Sequence, residues 1–109
     1  MTTEELEGLE ISNNGAKAAI EVGEAFERLL ANEDYKTVIT DLYLGTYPGE
    51  LGNAIARNTG GYDEDKLVVD LKAVNSFQNF LFRVANNHKA GEQTLIDNEA
   101  YVAESVNEE

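Results

Sequence analysis

Few side chains here could carry chemistry, and those few stand apart from one another. His88 is the only histidine in the 109-residue chain, and there is no cysteine. A lone imidazole excludes a multi-histidine metal site and any relay needing two rings. The missing thiols exclude a disulfide framework, a thiolate metal site and a thiol nucleophile. His88 lies between Asn87 and Lys89, near the C-terminal end of a predicted helix. It is open to two readings: a base or pH sensor favoured by the negative end of the helix dipole, or a helix-end residue with its ring half in solvent. Ser12, Ser76 and Ser105 are the serines, and none sits in a G-x-S-x-G turn. Gly60-Gly61 lacks the Lys-Ser/Thr of a phosphate loop, and Gly45, Gly49 and Gly52 follow no buried strand. Asp63-Glu64-Asp65 resembles a calcium loop only in charge. Counted from Asp63, the sixth and twelfth places hold Val68 and Val74, where an EF-hand needs Gly and Glu. With 21 acidic residues, no carboxylate pair is distinctive as a general acid and base. The expectation is a non-enzyme with no catalytic, cofactor-binding or metal-binding residue and no cofactor.

The balance of 21 acidic against 8 basic residues gives a net charge of −13. The basic residues Lys17, Arg28, Lys36, Arg57, Lys66, Lys72, Arg83 and Lys89 are spread singly among acids. Binding to nucleic-acid phosphates needs clustered cations, so no direct nucleic-acid binding is expected, and an anionic membrane repels the chain for the same reason. No stretch approaches the ~18–20 apolar residues of a membrane span, and the acidic start Met1-Thr2-Thr3-Glu4-Glu5 has the wrong sign for a signal peptide. A hydrophobic content of 42% supports folding despite the acidity. A soluble product with one modest core follows. The surplus acid serves solubility or meets a partner with a basic surface.

Stepping along the chain by helical period gives an all-α organisation. Residues 1–11 are expected as an acidic arm, because Gly8 and weak periodicity interrupt Leu6, Leu9 and Ile11, and residues 12–109 as a single domain. Ser12 or Asn13 is expected to cap a helix with Ala16, Ala19, Ile20, Gly23, Phe26, Leu29 and Leu30 on one face. Gly23 on that stripe marks where another helix crosses closely. Asn32-Glu33-Asp34 ends that helix and caps a second with Tyr35, Val38, Ile39, Leu42 and Tyr43. A strand over Val38-Ile39-Thr40 is the alternative there. Gly45 is expected to stop this helix and Pro48 to begin a third, closed by Asn58 to Gly61. From Asp63 a long helix is expected to about residue 89, with Leu67, Leu71, Val74, Phe77, Leu81 and Val84 on its stripe, widened by Val68, Phe80 and Phe82. A weaker helix follows, continuing or bending away at Gly91. The fold is therefore three short helices and a long C-terminal helical segment.

That segment also bears on association. A heptad walk meets Leu71, Val74, Gln78, Leu81, Ala85, His88, Glu92, Leu95, Glu99, Val102 and Val106, apolar at its ends and polar in its middle. This is poor for a free coiled coil but compatible with docking in an assembly. Phe26, Phe77 and Phe80 read as core. Phe82, off the stripe, reads as a second packing position or an exposed anchor. Tyr43, Tyr47 and Tyr62 flank turns and are open to core or interface roles. The candidate interface residues are Leu71, Val74, Phe77, Phe82, Leu95 and Tyr47.

The run from Ala18 to Asn32, with Asp34-Tyr35-Lys36 and Val38-Ile39 to Tyr43-Leu44 after it, resembles small acidic helical proteins of tailed bacteriophages encoded among virion and morphogenesis genes. The resemblance covers roughly residues 12–44 and brings no catalytic or binding residue with it. It implies a virion or assembly-accessory component, located in the virion or the host cytoplasm. Its partners would be other virion or assembly proteins or copies of itself. Many-copy particles need no active site, because symmetry multiplies weak contacts. The alternative is an acidic regulator that binds a basic host protein by nucleic-acid mimicry, which requires acids ordered along one face.

Overall fold

A computed structural model describes residues 1–57 and 63–108, Glu108 by its backbone alone. The fold is all-α, as expected. Helix α1 spans Thr3–Ala31 and α2 spans Glu33–Tyr35; a π-helical segment covers Lys36–Thr46; α3 spans Tyr47–Arg57 and α4 spans Glu64–Glu108. No strand occurs among the described residues, so the strand alternative at Val38-Ile39-Thr40 falls. The chain forms two compact units, one of Met1–Phe26 with Arg83–Glu109, the other of Glu27–Phe82.

In the first unit, two helical stretches run antiparallel. The helix begins at Thr3, not at Ser12 or Asn13, so the residues expected as an arm form its first turns. The Thr2 hydroxyl accepts the N–H of Glu5 at 3.1 Å, and the Thr2 carbonyl accepts that of Leu6 at 3.1 Å. Glu4 and Glu5 add negative charge at the positive end of the dipole. Ser12 and Asn13 instead spend their side chains sideways. The Asn98 amide donates to Ser12 Oγ at 3.0 Å and to Asn13 Oδ1 at 2.8 Å. The Tyr101 hydroxyl reaches Glu5 Oε2 at 3.5 Å.

Helix α4 continues through Gly91 as one element, so the long helix does not end near residue 89. The reason lies opposite. A Cβ on Gly91 would stand 2.8 Å from the Ala16 carbonyl oxygen and 3.3 Å from Ile20 Cγ1. A Cβ on Gly23 would land on the His88 side chain, so Gly23 does mark a close helix crossing. Each glycine weakens its helix by about 1 kcal/mol relative to Ala, and the close approach it permits offsets that cost. The seam therefore runs through Asn13, Ala16, Ile20 and Gly23 on α1 and His88, Gly91, Leu95 and Asn98 on α4. These are the alternating three- and four-residue steps of coiled-coil packing. The expected heptad shares His88 and Leu95 with this seam, but Glu92 and Glu99 yield their places to Gly91 and Asn98.

In the second unit, Asn32 caps α2 as expected. Its backbone is extended (φ −77°, ψ 125°), and its Oδ1 accepts the N–H of Tyr35 at 2.9 Å. The expected stop at Gly45 does not occur: the chain stays helical from Glu33 to Arg57. Over Lys36–Thr46 the winding widens. The N–H of Tyr47 bonds the carbonyl of Leu42, and the Thr46 hydroxyl bonds that of Asp41 at 3.2 Å, each five residues back. Pro48, just beyond, has no N–H to contribute, so the ladder loses a donor where the π winding gives way to α3. Pro48 thus marks the change of winding within a continuous helix. Asp63 caps α4, its Oδ1 accepting the N–H of Lys66 at 3.3 Å. Leu51 and Val74 are the most buried side chains of this unit. The segment Asn58 to Gly61, expected to close the third helix, and Tyr62 lie outside the described residues.

Candidate functional site

Among the described residues, no group of three or more Asp, Glu, His or Cys side chains is placed to hold a metal ion. His88 sits well inside α4 and not at its end. Its ring is 13% exposed, stands against Gly23, and pairs through Nε2 with Glu92 Oε1 at 2.7 Å. The grooves of the first unit are shallow. One of about 490 Å³ is lined by Asn13, Leu95, Asn98, Glu99, Val102 and Ala103. Another of about 450 Å³ includes Leu6, Leu9, Glu10, Asn14 and Lys17. Neither gathers more than two charged side chains.

The distinctive feature is apolar surface left facing solvent. On α4, Phe82 is 58% exposed and Phe80, expected in the core, is 54% exposed. Val69 is exposed on the same helix as well. Leu29 and Leu30, expected on the inward stripe of α1, are also exposed. The candidate interface residues separate into three groups. Val74 is only 3% exposed and belongs to the interior, so it presents nothing to a partner. Leu71 and Leu95 are half-buried, Leu95 lining the first groove. Phe77 and Tyr47 are half-buried around Tyr43. The Tyr43 ring stacks on Tyr47 with centroids 5.8 Å apart and meets Phe77 edge-on at 5.8 Å. Phe82 alone among the six is a large side chain mostly in water.

Next to this aromatic group, the Lys66 ammonium bonds Asp70 Oδ2 at 2.9 Å. That hydrogen bond and the charge of Asp70 hold the Lys66 pKa above its ordinary 10.5, with Tyr47 and Asp63 adding to the effect.

Further exposed apolar residues lie on α1, one in the stretch expected as an arm and one beyond it. Ile11 is 73% exposed and Val22 54% exposed. Their spacing was legible, but a boundary drawn at Ser12 cuts between them. No helix among the described residues is long and apolar enough to cross a membrane. No known protein family, curated protein or solved structure matches the chain.

Proposed function

We propose that the protein is a non-enzymatic structural or assembly-accessory component, acting by protein–protein contact within a tailed-phage particle or its precursor. The observation that carries this reading is the set of large apolar side chains left exposed along the helices, with Phe82 the clearest. Exposed aromatic anchors on regular elements mark association surfaces. The phage context rests on the sequence resemblance over roughly residues 12–44.

Mass by light scattering on a sizing column, at two concentrations and two salt levels, tests the reading. A discrete oligomer that persists at high salt is the expected result. A monomer under every condition would overturn it and favour an acidic regulator of a basic protein. Phe82→Glu is expected to weaken association while leaving helicity unchanged by circular dichroism. Loss of helicity instead would make Phe82 a core residue.

A further inference from the structure

Among the described residues of the first unit, only Ala16, Gly23 and Gly91 are buried, and all three are small. The seam between its helices is therefore thin, and larger apolar side chains beside it keep surface in water. Leu9 and Leu95 are half-buried, while Leu6 is 51% and Val102 37% exposed. The two grooves of this unit share Asn13 and Val102, so they are successive parts of one channel beside the seam. Leu6 and Leu9 on α1, with Leu95 and Val102 on α4, give that channel an apolar floor. Between Leu6 and Lys17 it follows α1 for about 16 Å, roughly three turns of helix. Glu10 lines it from α1 and Glu99 from α4. The bond from Asn98 to Asn13 sets their register, since Glu10 is three residues before Asn13 and Glu99 follows Asn98. In antiparallel helices this puts the two carboxylates within about 3 Å of the same height along the groove. Among the described residues, neither bonds a cation. Lys17, the cation lining this groove, lies about 10 Å further along α1.

We propose that this groove receives one amphipathic helix of a basic partner protein. The apolar stripe of that helix lies on Leu9, Leu95 and Val102, and a Lys or Arg of it sits between Glu10 and Glu99. Shape and charge each call for this occupant. An apolar channel three turns long between two helices is the form that takes a third helix. Two like charges on opposite walls favour a cation between them and repel a further carboxylate. A second copy of the chain brings another net charge of −13, and an anionic membrane brings phosphates, so charge opposes both. A third helix also covers the surface of Leu6, Leu95 and Val102 that two helices leave wet. Three turns of helix bury less than the roughly 800 Å² per partner of a standard interface. The contact is therefore reversible, with a dissociation constant of roughly 1–100 µM. Apolar burial supplies most of the affinity, and the carboxylates select a cationic partner. The proposal names the chemistry of a partner, and it rests on the assembly reading only in taking the protein to work by protein–protein contact.

Fluorescence anisotropy on the full chain, at about 0.15 M salt, tests the proposal with a labelled synthetic peptide. The probe has about 18 residues, leucine at three- and four-residue steps and lysine elsewhere, and a scrambled peptide of the same composition is its control. Val102→Glu and Glu99→Lys alter the groove, and Glu50→Lys makes the same charge change on α3, outside it. Glu99 and Glu50 are exposed, so these two variants keep the fold, which circular dichroism verifies. The patterned peptide is expected to bind at least about tenfold more tightly than the scrambled one. Its binding is expected to weaken at least about tenfold in Val102→Glu and in Glu99→Lys, and less than about twofold in Glu50→Lys. Equal binding of the two peptides, or equal loss in Glu50→Lys and Glu99→Lys, would reduce the effect to net charge and overturn the groove. Absence of binding would overturn it too. A discrete oligomer that binds no peptide would sink the groove and spare the assembly reading. A monomer that binds the patterned peptide through Val102 and Glu99 would uphold the groove and sink the assembly reading.

Discussion

At the residue scale, glycines of one chemical type have opposite roles, and substitution separates them. Gly23→Ala forces a methyl onto His88, so it is expected to destabilise by about 1–3 kcal/mol in chemical denaturation, although alanine is the better helix former. Gly15→Ala meets only open space and is expected to stabilise by about 0.5–1 kcal/mol in the same experiment. Lys66 offers a titration prediction. Its folded pKa is raised by Asp70, so the contribution of the pair is complete below the ordinary 10.5 and disappears as pH rises through the folded value. In Asp70→Asn, NMR titration of the Lys66 side chain is expected to return a value close to the ordinary one.

At the element scale, helicity and capping were legible because they depend on near neighbours. Asn32 caps where its sequence position places it, and Gly23 signals a close crossing. What was not legible depends on partners distant in sequence. Leu6, Leu9 and Glu5 look too sparse for a helix until Tyr101 and Val102 are beside them. Gly91 reads as a breaker because local propensity cannot register the Ala16 carbonyl standing against it. The π winding from Lys36 to Thr46 has no periodic mark in the sequence. Gly45 looks like an end, yet the five-back bonds of Thr46 and Tyr47 carry the helix past it. Of the candidate site residues, Phe82 was placed by its departure from the stripe. Val74 lies on the stripe and is buried, as stripe residues usually are. Tyr43 joins the π segment to α4 through its ring contacts. Tyr43→Ala is expected to cost about 2 kcal/mol in stability, with loss of near-ultraviolet dichroism and little change in helicity.

At the scale of the whole molecule, charge is the dominant collective property. A net charge of −13 on a chain of 109 residues makes the folded state repel itself. Raising salt from about 0.01 to 0.5 M shrinks the screening length from about 30 Å to a few ångströms, so the melting temperature is expected to climb by several degrees in a thermal scan. A fall would mean that attractive ion pairs outweigh the repulsion. The two kinds of helical winding also set how the chain tolerates changes of length. Removing one residue between Ala16 and Gly23 would turn everything beyond it by about 100°, taking one of the small residues out of the seam with α4. The segment from Lys36 to Thr46 holds slack of a different sort, since its bonds already reach one residue further than α-helical ones. A single-residue deletion there can be absorbed by rewinding to the tighter ladder. Insertions and deletions in the descent of this protein should therefore collect between Lys36 and Thr46 and be purged from the stretch around Gly23.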